Sequence, residues 1–337
     1  MLAIEWLDGL TALILPDTIH GPTSIFSPDG TPAHSVFGLS MLVLSVTLCI
    51  FLIVAGLLFY ALIRFRHRPT DINARQEPAQ IYGSNQIELS WTVVPVLIVV
   101  MLFLATARVI YTTEHAAKPA ASLDVTVIGH QFWWEYRYPK YGIVTANELH
   151  IPVSDRKNPT PTYLTMSSAD TNHSFWIPRL AGKMDLIPNK VNTMWIDPSE
   201  AGLYLGQCAQ YCGTQHAKML QRVYADTPAQ FAAWIVSQQK TAVQDASVVE
   251  GRKVFESNSC ISCHTVAGTV ANGRFGPDLT HVASRDTLAS GAVPNTPANL
   301  RAFVDDPAHF KPGALMPPMH LNEHDLDAVT LYLATLK

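Results

Sequence analysis

The sequence predicts three architectures in one multidomain chain: a hairpin of two membrane-crossing helices, an all-β sandwich, and an all-α domain at the end. Three observations carry this. Two apolar runs, about residues 36–63 and 91–110, each supply the ~20 apolar residues that a spanning helix needs. From Leu123 to about Tyr224, β-branched and aromatic residues come in short runs separated by Pro, Gly, Asn and Asp, which reads as an antiparallel sandwich or barrel. Beyond about residue 249, short helical patterns surround the motif Cys260-Ile-Ser-Cys263-His264.

Taken in order, residues 1–35 form an external N-terminal segment. Residues 36–111 form the transmembrane helical hairpin. The stretch between its two runs holds Arg64, Arg66, Arg68 and Arg75, whereas residues 1–35 contain no Lys or Arg. The positive-inside rule makes that stretch cytoplasmic and places both the N-terminus and everything after Tyr111 outside. Residues 1–15 are apolar but lack a basic start, so they do not read as a signal peptide.

The β domain spans 112–237 and closes with a helix from Pro228 to about Gln239. A polar linker, 238–248, follows. The last domain, 249–337, ends in a helix with Asn322 as its N-cap and apolar residues at helical spacing from Leu326 to Leu333. A net charge of −4 over 337 residues offers no basic face for phosphate contacts and excludes a nucleic-acid binder of that kind.

The chemistry is concentrated in two motifs. Cys208-Ala-Gln-Tyr-Cys212-Gly-Thr-Gln-His216-Ala-Lys-Met219 crowds two thiols, an imidazole and a thioether into one short loop. Sulfur ligands of this kind select copper; a structural zinc site would need Cys, Cys and His but has no use for Met219. Cys260-Ile-Ser-Cys263-His264 is the covalent c-type haem attachment signature. Of five cysteines, only Cys49 is left over, inside an apolar run, so no pair remains for a structural disulfide. Haem attachment takes place outside the bacterial cytoplasmic membrane, which agrees with the charge argument. Eight histidines, His20, His34, His67, His115, His150, His281, His309 and His324, have no ligand context and read as surface or packing residues.

These motifs occur together with Glu88-Leu-Ser-Trp91-Thr-Val-Val-Pro95, Gly129-His-Gln-Phe-Trp-Trp134 and His173-Ser-Phe-Trp-Ile-Pro178. In that order, the set resembles subunit II of a haem–copper cytochrome c oxidase with a cytochrome c domain fused at its C-terminus. The resemblance implies a cupredoxin-like sandwich, then a class I cytochrome c fold. It implies a binuclear copper centre, CuA: Cys208 and Cys212 bridge two coppers, His173 and His216 bind one each, Met219 is a weak ligand, and Gln210 offers its backbone carbonyl.

For the one covalent haem c, Cys260 and Cys263 would form the thioethers and His264 the proximal ligand. Met316 would be the distal ligand, with Met319 and His320 as alternatives; Met ligation raises the potential, as a donor to copper requires. Glu88 would be a proton-entry residue, and Phe132 and Trp133 are candidates for the electron path. Partners would be subunit I and other oxidase subunits, lipid, and either a cytochrome c or a quinol-oxidising complex as electron donor. O2 would be reduced, with proton pumping, on the large subunit.

Two departures stand out. Gln210 replaces a Glu that serves a Mg²⁺ site in many relatives. Phe132 stands where relatives fed by soluble cytochrome c often carry an electron-entry Trp; a fused haem would make that residue dispensable, or Trp133 would serve. A nitric oxide reductase subunit bearing CuA and a membrane-tethered redox carrier are the alternative functions.

Overall fold

A computed structural model describes residues 21–66, 82–242 and 245–337. The apolar stretch 1–15, His20, His67, Arg68 and Arg75 lie outside them. The chain divides into two compact units, one of residues 35–116 and the other of all the rest.

The smaller unit is the hairpin. Helix α1 (Thr31–Arg64) and helix α2 (Asn85–Glu114) are both long and apolar enough to cross a membrane. Each runs past its predicted apolar stretch, because hydrogen bonding carries the helix into flanking polar turns such as Asn85–Ser90. Large side chains such as Phe51, Ile53, Leu57 and Phe103 are exposed along their length, the surface that lipid or partner helices cover. Several hydroxyls close back onto their own helix, with Ser40 donating to the Val36 carbonyl at 2.8 Å and Thr92 to that of Glu88 at 2.9 Å. An apolar medium demands such internal satisfaction.

The larger unit includes the residues just before α1 and its first turn. Backbone amides of Asp29 and Gly30 donate to the Arg179 carbonyl, and Arg179 Nε returns a bond to Ser27 at 2.8 Å. Thr31 N donates to Asp197 Oδ1 at 2.7 Å, and Ser199 N to Asp29 Oδ2 at 3.0 Å. The start of α1 is therefore clasped to the β domain.

That domain is a sandwich of β1 (Leu123–His130), β2 (Trp133–Tyr138), β3 (Ile143–Ala146), β4 (Glu148–Pro152), β5 (Thr162–Ser168), β6 (His173–Phe175), β7 (Met184–Leu186), β8 (Asn192–Ile196), β9 (Gly202–Gln207) and β10 (Leu220–Asp226). One sheet runs β3-β2-β1-β5-β8, another β4-β10-β9, and β6 pairs with β7. Strict inward alternation along β1 and β10 buries Val125, Val127 and Val223 against Trp134, Tyr136 and Phe175. The sandwich is not wholly antiparallel as expected, since β1–β5 and β4–β10 are parallel pairs. Intervening strands carry the chain across between them, and alternation in a sequence encodes which face is buried, not strand direction.

Helix α3 (Pro228–Gln238) starts in a capping box between Thr227 and Gln230. It seats Phe231 and Trp234 on the sandwich, where His150 stacks between Trp234 and Tyr224 at 4.7 Å from each. His150 is thus a packing residue.

The helical domain contains α4 (Val249–Ser257), α5 (Cys260–Cys263), α6 (Pro297–Asp305), α7 (Pro307–Phe310) and α8 (Glu323–Thr335). Its core gathers Phe255, Leu300, Leu326, Val329 and Tyr332. Asn322 caps α8 through a bond from Asp325 N at 2.9 Å. Residues 240–242 lie against this domain: Ala242 N bonds Ala267 O, and the Lys240 carbonyl lies 3.1 Å from His281 Nε2.

Candidate metal centres

Antiparallel pairing of β9 with β10 sets Leu220 opposite Gln207, so the loop between these strands must begin and end side by side. Its first and last ligand candidates do so, with Cys208 N donating to the Met219 carbonyl at 2.9 Å. Ala209 N then bonds Ser174 O, which draws in β6 and His173 at its head.

The donor atoms converge. Cys208 Sγ lies 3.9 Å from Cys212 Sγ, 4.0 Å from His173 Nδ1 and 3.2 Å from the Gln210 carbonyl. Cys212 Sγ lies 3.8 Å from His216 Nδ1 and 3.9 Å from Met219 Sδ. All six candidates are thus in one place, and Cys208, Cys212, His173 and Met219 are buried. Gly129 makes room, since a Cβ there would stand 2.8 Å from the His173 ring.

Electrostatics fit a cation. The Cys212 thiol beside it holds Cys208 far below the ordinary thiol range, and His173 and backbone amides add to the effect. With Cys208 charged, the Cys212 thiol is pushed up, by that sulfur first and by burial next. The bare pocket thus favours one thiolate and resists the second, and a metal ion resolves the conflict. His173 is buried, which opposes its charge, yet the Asp170 carboxylate 2.8 Å from Nε2 and the neighbouring Cys208 move its pKa up. Asp170 therefore fixes the ring with Nδ1 facing the sulfurs, the usual carboxylate–histidine support of a metal ligand. Sequence reading missed Asp170, a carboxylate three residues ahead of His173 with no motif to mark it.

The second site is a cavity of about 330 Å³, within the ~300–1,000 Å³ of cofactor sites. Cys260, Cys263 and His264 line it, as do Met316 and Met319; His320 does not. His264 Nδ1 donates to the Pro277 carbonyl at 2.7 Å, which leaves Nε2 free to bind iron. Burial holds this imidazole below its usual pKa, in the neutral form that a metal requires. Arg285, half-buried on the same wall, has a buried Nε without a hydrogen-bond partner and suits an acidic group of the occupant. The residues present fit a covalently held haem.

The β domain completes this cavity through Gln131, Phe132, Trp133 and Asn147. Lys311 Nζ donates to the Phe132 carbonyl at 2.6 Å and Lys218 Nζ to that of Phe310 at 2.8 Å. Glu148, buried, accepts from Asp286 N, Thr287 N and Thr287 Oγ1. Trp133 stacks on His130, ring centroids 4.1 Å apart, and His130 Nε2 lies 3.0 Å from Glu135, a structural partnership. Glu88 lies in the first turn of α2.

Fold and site together define a class: a membrane-anchored β-sandwich joined to a c-type cytochrome fold. Family models match in the same order: cytochrome c oxidase subunit II, transmembrane domain, over residues 25–109, its periplasmic domain over 157–225, and cytochrome c over 248–337. Cytochrome c oxidase subunit 2 of Alkalihalophilus pseudofirmus is 31% identical over 317 residues, covering 92% of this chain and 90% of the relative. That of Bacillus sp. strain PS3 is 33% identical, covering 98% and 96%. That of Bacillus subtilis is 29% identical, covering 93% and 92%. The chain belongs to the cytochrome c oxidase subunit 2 family, and so to the components of a haem–copper terminal oxidase.

Proposed function

We propose that this chain relays single electrons from its own haem c to a binuclear CuA centre and on to subunit I, where O2 is reduced to water with proton pumping. The observation that carries the reading is the convergence of two thiols, two imidazoles and a thioether within 4.0 Å contacts, beside a cavity lined by the haem attachment motif.

In this reading Cys208, Cys212, His173, His216, Met219 and the Gln210 carbonyl would hold the coppers, which would supply one-electron storage between haem and subunit I. Cys260 and Cys263 hold the haem and His264 binds its iron. Met316 would complete the iron's ligands, with Met319 the alternative. A cytochrome c or a quinol-oxidising complex supplies the electrons, and Glu88 admits protons towards subunit I. The setting is the bacterial cytoplasmic membrane, with both redox domains on the outer side. Arg64 and Arg66 at the far end of α1, and the clasp of its near end to the β domain, support that orientation.

The test is to isolate the intact complex by a tag on this chain, then assay its metals and its O2 and NO consumption. Two coppers per chain, one haem c and rapid cyanide-sensitive O2 uptake are expected. NO consumption without O2 uptake would make the chain a nitric oxide reductase subunit, and no co-purifying large subunit would make it a tethered carrier.

A further inference from the structure

Gln131 and Phe132 form the turn between β1 and β2, and Trp133 opens β2; all three line the haem-type cavity. Their links to the copper loop differ. Trp133 spends its ring on His130. Phe132 touches the copper loop without a bond: a Cβ built on Gly213 would stand 3.0 Å from its ring carbons. Gln131 is bonded to it, its Nε2 donating to the carbonyl of Cys212 at 2.6 Å.

The segment is also pinned from several sides. Gln131 N donates to Asp170 Oδ2 at 2.6 Å, and the other oxygen of that carboxylate holds His173 Nε2 at 2.8 Å. From the cytochrome domain, Lys311 holds the Phe132 carbonyl. A side chain so fixed keeps its contact with the cavity wall and with Cys212 at the same time.

We propose that Gln131 is the coupling residue between the two redox sites, and that an electron crosses from the cavity to the copper loop through its amide hydrogen bond to the Cys212 carbonyl. This rests on reading the cavity as a haem site and the loop as a copper site. Electronic coupling decays more slowly along covalent and hydrogen bonds than across a nonbonded gap. From Gln131 the path runs through one hydrogen bond and then the bonds of Cys212 to its sulfur, whereas the Phe132 ring must cross van der Waals space to Gly213. One electron moves, oxidising the iron by one and reducing the copper pair by one. No proton or bond is exchanged, so the amide contributes coupling and not acid–base chemistry.

The experiment compares Gln131→Met, which keeps size but cannot donate, with Phe132→Leu in the intact oxidase. Haem-to-copper transfer is followed after rapid reduction of the haem. Copper and haem spectra and potentials are recorded on each variant, a readout on which a merely structural lesion would show. With spectra and potentials unchanged, Gln131→Met is expected to slow transfer ~10-fold or more, in line with losses at outer residues of metal sites, and to slow it more than Phe132→Leu does. The reverse order, or an unchanged rate in Gln131→Met, overturns the proposal. Should Gln131→Met lose copper, Gln131→Glu at alkaline pH presents an acceptor to the same carbonyl and must slow transfer in the same way. If the unaltered complex itself shows no copper or haem spectrum, the underlying reading fails instead, a distinct result.

Discussion

His264 owes its orientation to two neighbours with no ligand chemistry of their own. The Pro277 carbonyl takes Nδ1, and Gly276 lets the ring lie against the chain; a Cβ there would stand 2.6 Å from Cε1 and 2.9 Å from Nδ1. Gly276→Ala should therefore cost the overpacking penalty of ~1–3 kcal/mol and turn the ring off Pro277. The measurement is the yield and spectrum of covalent haem in the purified chain; full haem loading with an unaltered spectrum would refute it. Glu88 is exposed at the start of α2, where an ionisable group beside a membrane span is a functional candidate. Proton uptake by the oxidase should slow in Glu88→Gln, and unchanged turnover would remove the assigned role. At this scale the donors were legible because thiols, imidazoles and thioethers in one loop have few other uses. Asp170, Gln131 and Lys311 were not, because they are ordinary polar residues whose meaning lies in partners 3 to 179 positions away.

The elements were legible wherever a period or a cap announced them. Both membrane helices, the helix from Pro228 and α8 behind Asn322 formed as expected. What sequence did not carry was the parallel pairing of β1 with β5 and of β4 with β10, since it depends on where the chain returns after several strands. Element α8 also gives a direct test of the cytochrome core. Its cap satisfies one otherwise bare amide, and the helix buries Leu326, Val329, Tyr332 and Leu333. Asn322→Ala should lower the stability of this domain by ~1 kcal/mol, seen as an earlier thermal loss of its far-UV signal. A shift no larger than that of an exposed control such as Leu331→Ala would mean that the cap contributes nothing.

Across the molecule, the two redox domains share a boundary that buries charge. Polar composition at 238–248 read as a plain linker, and it gave no sign that Ala242 packs into the cytochrome domain or that Lys311 sits 5% exposed on the Phe132 carbonyl. Burial pushes the Lys311 amine down to about 7, with nearby Lys218 acting in the same direction and the Cys212 sulfur against it. The sign of the pH dependence follows. Undocked, the amine returns towards its ordinary pKa of ~10.4 and binds a proton that the docked form lacks at any pH between those values. The open form then binds more protons, so docking strengthens as pH rises from about 7 and is weakest below it, where the buried amine must carry its charge. Hydrogen exchange at Thr287 and Leu220, whose amides bond across the boundary, measures this. Protection should rise with pH, after correction for intrinsic exchange, and Lys311→Met, which fills the same space without a charge, should flatten the dependence while keeping the domains together. A Lys311→Met chain with the same pH dependence as the parent would assign the effect to other groups at the boundary and discard this account.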